Sequence, residues 1–222
     1  MICFLWEKMI NFSRDILPKE APRLIFQEKR TGMRSPEKRT KLNILDISLL
    51  ALMTAIIEVS KIALSGLPNV ELVSFWIIMF TLFFGPKVIY SILVFILIEI
   101  FLYGIHVWVI MYLYVWPLLV ILTRLLRKQK SAIIYAVMSG TYGLLFGALC
   151  AIPYIFIGTF DGNSQSGFVM AFNWWIAGIP YDITHGIANF VIMMVLYHPI
   201  YAVMKQVSHR LPHSVTTEEV RR

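Results

Sequence analysis

Residues 131–157 read SAIIYAVMSG TYGLLFGALC AIPYIFI, a run of 27 positions without one Asp, Glu, Lys or Arg. At 1.5 Å of rise per residue, a helix of this length covers more than the ~30 Å of hydrocarbon in a bilayer, so the stretch predicts a membrane-spanning helix. Its flanks agree. The basic connection Arg124 to Lys130 precedes it, and a connection without Lys or Arg, Gly158 to Gly167, leads to another long apolar run at 171–197. Working back toward the N-terminus, further apolar stretches fall at 44–64, 70–84, 88–105 and 107–123. Glycine and proline punctuate the gaps, at Gly66-Leu67-Pro68-Asn69, Gly85-Pro86-Lys87 and Gly104 with His106. Six crossings are predicted.

The composition points the same way. With 58% hydrophobic and 15% charged residues and a mean hydropathy of +0.71, the chain is too apolar for an ordinary soluble domain or a disordered segment. Two cysteines cannot staple 222 residues, and neither Cys3 nor Cys150 sits in a metal-ligand spacing.

Basic residues set the orientation. Ten of the 20 Lys and Arg lie in residues 1–43, and nine more are Lys87, Arg124, Arg127, Lys128, Lys130, Lys205, Arg210, Arg221 and Arg222. With six crossings all of these fall on the side of the N-terminus, and only Lys61 lies near the far end of a span. The positive-inside rule then predicts both termini in the cytoplasm, so the net charge of +7 calls for no nucleic-acid partner. The expected organisation is an all-α integral membrane protein. A six-transmembrane-helix bundle at 44–204 lies between a cytosolic tail at 1–43, with an interfacial helix around Ile10 to Leu17, and a cytosolic tail at 205–222.

Polar groups inside the bilayer are costly and mark candidate sites. Their depth is uneven. Glu58 lies about 21 Å from the cytoplasmic start of the first span, with Lys61 beyond it, and Glu99 falls in the outer half of the third. The second span opens with Asn69 and Glu71, the fourth carries Tyr112, Tyr114 and Trp116, and the sixth carries Asn173, Trp174, Trp175, Tyr181, Asp182, His185 and Asn189. The outer half is therefore polar and the inner half aliphatic. Asp182, His185 and Asn189 share one helix face below Pro180, an arrangement that suits an outward-facing pocket for a small solute. Interhelical hydrogen bonding is the plainer reading of each, lipid anchoring that of Trp174 and Trp175, and mutual neutralisation that of Glu58 and Lys61. Two small-residue faces also stand out. Ala51 and Ala55 lie one turn apart on the first span, and Gly140, Gly143, Gly147 and Ala151 on the fifth allow a second helix to approach closely.

No nucleophile elbow, zinc-protease helix or phosphate loop is present, so the chain is not expected to be an enzyme or to hydrolyse ATP. Asp182 and His185 leave an intramembrane enzyme as one alternative. A stand-alone proton-coupled carrier using Glu58, Glu99 or Asp182 is another.

Six helices, a cytoplasmic N-terminus, Ala51-x-x-x-Ala55 on the first helix, a polar outer half and a basic fourth connection together resemble the substrate-binding S component of energy-coupling factor (ECF) transporters. Leu67-Pro68-Asn69-Val70-Glu71-Leu72-Val73 and Gly178-Ile179-Pro180-Tyr181-Asp182-Ile183-Thr184-His185-Gly186 look like segments of one S-component group. The resemblance covers residues 44–204. It implies a bacterial cell-membrane receptor that captures a vitamin or related micronutrient from outside, with no cofactor of its own. Docking would occur through Ala51 and Ala55 on a transmembrane coupling subunit driven by two cytosolic ATPase subunits, which hydrolyse the ATP. Binding of the micronutrient is then expected to involve Asn69, Glu71, Trp174, Tyr181, Asp182, His185 and Asn189.

Overall fold

The computed structural model describes residues 44–160 and 167–211. The expected N-terminal tail with its interfacial helix, the centre of the fifth connection and the end of the C-terminal tail lie outside the described residues. Among the described residues all regular structure is helical: α1 (Ile44–Ala63), α2 (Val73–Phe84), α3 (Val88–Tyr103), α4 (Val107–Leu125), α5 (Ala132–Leu144), α6 (Phe146–Phe160) and α7 (Gly167–Arg210). Among the described residues, four helical runs are long and apolar enough to cross a membrane: Val73–Tyr103, Val107–Leu125, Ala132–Thr159 and Gly167–Arg210. The protein is thus an all-helical, membrane-embedded type of fold.

The first of those runs does not continue straight. Gly85 adopts φ +66°, a left-handed conformation that suits glycine, and with Pro86 forms a 3-10 turn between α2 and α3. Contacts at both ends show the reversal, because α1 and α3 lie side by side and parallel. Lys87 Nζ donates to Asp46 Oδ1 at 2.7 Å, Ser91 Oγ donates to Leu50 O at 3.1 Å, and further along Lys61 pairs with Glu99. Two parallel neighbours in sequence order require the intervening helix to run the other way. That helix, α2, is apolar around its whole circumference and all but one of its residues are buried, as an all-round hydrophobic helix must be.

The second half of the molecule is an antiparallel pair. α5 and α6 run against α7 in a constant register, with Tyr135 stacked on Tyr197, Gly143 against Gly186, Gly147 against Asp182 and Gly158 against Gly167. A Cβ on Gly143 would stand 2.9 Å from the Gly186 backbone, so the two helices touch through main chain and the fifth-span glycine face packs inside the bundle. α4 joins the halves. Tyr142 Oη donates to Val115 O and Tyr114 Oη to Leu149 O, both at 2.6 Å, while the rings of Phe95 on α3 and Tyr112 on α4 stack.

Two boundaries differ from the sequence reading. The fifth apolar stretch is two helices meeting at Leu145, because Gly147 donates its N–H to Asp182 Oδ1 at 2.9 Å and a side chain is thereby inserted in the helical ladder. The sixth extends past 197 to Arg210, since hydropathy marks where a helix is greasy rather than where its hydrogen bonds stop. It passes through both Pro180 and Pro199, as membrane helices with packed neighbours tolerate.

Candidate functional site

At the end of the bundle that carries Lys61, the connection between α1 and α2 folds over a cleft of about 260 Å³. The connection contributes Leu67, Pro68, Asn69, Val70 and Glu71, α1 contributes Lys61 and Ile62, and the far walls are Tyr103 of α3, Tyr112 of α4, Phe146 of α6 and His185 of α7. A tight turn shapes the connection. Asn69 takes φ +55°, a left-handed value that asparagine accepts more readily than most residues, and this swings the chain back so that Glu71 points under it.

An aromatic series floors the cleft. Phe95 stacks on Tyr112, Tyr112 meets Trp116 edge-on, Trp116 lies 5.5 Å from Phe146, and Phe146 meets the His185 ring at 4.8 Å. Phe95 and Trp116 are wholly buried, which closes the core beneath. His185 is itself only 2% exposed, yet its Nε2 has no hydrogen-bond partner. Glu71 Oε1 lies 3.6 Å away, beyond hydrogen-bond reach. Buried polar atoms are almost always satisfied, so an orphaned nitrogen on the wall of a cleft points to a group that arrives from outside.

The charges here are layered. Lys61 is held by Glu99 and surrounded by the rings of Phe95, Tyr103 and Tyr112, each 5.5–5.6 Å from its Nζ. Cation–π contact and ion pair together fix the ammonium at the rim. Glu58, one turn below Lys61, is buried beside Glu99, and neither of its oxygens meets a donor. The expectation that Glu58 and Lys61 neutralise each other is replaced by a Lys61–Glu99 pair between parallel helices. Glu71 stands in the connection, outside the spanning helices. Burial pushes its carboxyl up to about 7, against the pull of Lys61 and with the added push of Glu99.

The seven residues expected to bind a ligand divide three ways. Asn69, Glu71 and His185 converge on the cleft. Asp182 and Asn189 sit on the same face of α7 but turn to α5 and α6: Asp182 accepts the Gly147 N–H, and Asn189 Nδ2 reaches Ser139 O at 3.5 Å. Trp174 stacks on Tyr154 at 5.0 Å, and Tyr181 is more than half exposed; neither lines the cleft. Tyr103 and Phe146 line it without having been expected as ligand contacts, and Lys61, which the sequence isolates as the one Lys or Arg near the far end of a span, lines it too. Ala51 and Ala55 lie on the outer face of α1, exposed in line with Ile47 and Val59. In the lower half, Thr54 and Thr123 bond the carbonyls of Leu50 and Leu119 in their own helices, Thr54 and Ser91 also bond across α1 and α3, and aromatic rings accompany the aliphatic side chains.

Among the described residues no set of three or more His, Cys, Asp or Glu is grouped to hold a metal. Compared with family models, curated proteins and solved structures, the chain matches none.

Proposed function

We propose that the chain is the substrate-specificity component of an ECF-type transporter, a six-crossing protein of a bacterial cell membrane with both termini in the cytoplasm. In this reading the cleft faces outward and binds a vitamin or related micronutrient. The loaded protein then docks on a transmembrane coupling subunit served by two ATPase subunits. One observation carries it: a closed-bottomed cleft whose wall holds a buried, unpartnered imidazole beside a carboxyl, at the end of the bundle opposite Lys87 and the basic connection Arg124 to Lys130. A receptor needs such a dead-end pocket, whereas a pore needs a continuous polar lining.

The sixth crossing count follows from treating α1 as a span. Its three charges, Asp46, Glu58 and Lys61, set it apart from the four apolar runs. Inside the bundle Asp46 meets Lys87 and Lys61 meets Glu99, while Glu58 is buried against α3, which lowers the cost of carrying them. The outer face of the same helix, with Ala51 and Ala55 exposed, offers a smooth surface to a coupling subunit.

The test is uptake by cells that co-express the coupling subunit and ATPases. Replacing Ala51 and Ala55 together by tryptophan should abolish uptake and leave ligand retention by the purified protein unchanged. Loss of retention would contradict the docking role. A second reading, a proton-coupled carrier, draws on the adjacent buried carboxyls Glu58 and Glu99. Uptake driven by a proton gradient in vesicles containing this chain alone would favour it.

A further inference from the structure

The charge inventory of the cleft points to the kind of molecule it takes. The cleft lining holds one ammonium, Lys61, and one carboxyl, Glu71, with the buried carboxyls Glu58 and Glu99 behind the lining. Lys61 is committed to Glu99. Glu58 lies beside Glu99 and away from the cleft, so a proton held between those two carboxyls still leaves Glu71 uncompensated. An anionic ligand would find no free cation among the lining residues, and it would face Glu71 directly. A metal ion would find only Glu71 and His185, too few ligands among the described residues.

We propose, building on the receptor reading above, that the ligand is a small organic cation, a molecule of one or two rings whose positively charged nitrogen bears hydrogens that Glu71 and His185 accept together. The 3.6 Å gap between Glu71 Oε1 and His185 Nε2 is too wide for a direct hydrogen bond, and it places two acceptors side by side for a donor pair. Phe146 supplies an aromatic wall for the flat body of the ligand, the rings of Tyr103 and Tyr112 being engaged by Lys61. A volume of about 260 Å³ lies just under the usual range for ligand pockets, which limits the guest to a compact molecule. The groups that face Glu71 are Lys61 from α1, Glu99 from α3, Tyr112 from α4, Tyr142 from α5, Cys150 from α6 and His185 from α7, and the ionisation of Glu71 is the one expected to tune binding near neutral pH.

Benzamidinium and benzoate form a matched pair of probes, flat and alike in size but opposite in charge. The full chain in lipid nanodiscs should show a benzamidinium-dependent thermal shift at millimolar concentration, larger at about pH 8 than at about pH 6, as Glu71 ionises through about 7. Benzoate should give none. In Glu71→Gln the benzamidinium affinity should drop about tenfold or more and lose its pH dependence, whereas Glu71→Asp, which keeps the charge, should retain most of the response. Stabilisation by benzoate equal to that by benzamidinium, no response to benzamidinium, or an unchanged response in Glu71→Gln each overturns the cation proposal. Mass spectrometry of molecules retained through purification separates the two ideas. A retained anion or neutral compound sinks the cation and leaves the receptor standing, while a protein that retains nothing and turns over a substrate by itself removes the receptor reading.

Discussion

At the residue scale, the distinction that matters is between polar side chains that already have partners and those that do not. His185, buried with a bare Nε2, and Asp182, three positions earlier and bonded to the Gly147 N–H, are neighbours on one helix with different fates. His185→Ala should weaken ligand binding about tenfold or more, about 1.4 kcal/mol, while Trp174→Ala and Tyr181→Ala should change it less than about twofold. Equilibrium dialysis against the retained compound measures both. Gly147→Ala tests the other role. A Cβ there would overlap the Asp182 carboxylate, so the variant should lose about 1–3 kcal/mol of stability, read as an earlier thermal transition in detergent. The sequence made the shared face of Asp182, His185 and Asn189 legible, since helical spacing fixes it. It could not say which of the three meets a neighbouring backbone, because that depends on glycines in a different helix.

Helices show the same division between local and distant causes. The reversals at Gly66 to Asn69, Gly85 to Lys87 and Gly104 to His106 were readable because glycine and proline dictate turns by their own backbone preferences. The break at Leu145 was not, for its cause is a carboxylate reaching across from α7. α2 has only 12 residues, and the structure explains this by enclosure: buried on nearly every side, it relies on neighbours rather than on lipid. α7 lies at the opposite extreme. Its 44 residues reach roughly 66 Å, well past the thickness of a bilayer, so part of the helix must stand clear of the hydrocarbon. The prediction that belongs here concerns α1. Its inner face carries the Asp46, Ser91-facing and Lys61 contacts, and its outer face carries Ala51 and Ala55. Double tryptophan substitution should therefore stop uptake without moving the thermal transition by more than about 1 kcal/mol equivalent, since exposed positions tolerate exchange.

For the whole molecule, the reading of basic residues makes a topological prediction that single cysteines can check. In a background with Cys3 replaced, Cys150 is buried and should stay silent to a membrane-impermeant maleimide. Cysteine at Ser65 should then react in intact cells, and cysteine at Lys128 should react only after the membrane is opened. Labelling of both positions from the same side would defeat the six-crossing arrangement. One consequence follows from the glycine seam. Where α5 and α6 meet α7 backbone to backbone, even one added methyl group at Gly143 or Gly158 would collide with the facing helix. Leu64, Ser65, Leu67, Pro68, Asn69, Val70 and Glu71 all border the cleft, so on the receptor reading proposed above substitutions in this short strap should alter ligand preference more than substitutions in any one long helix.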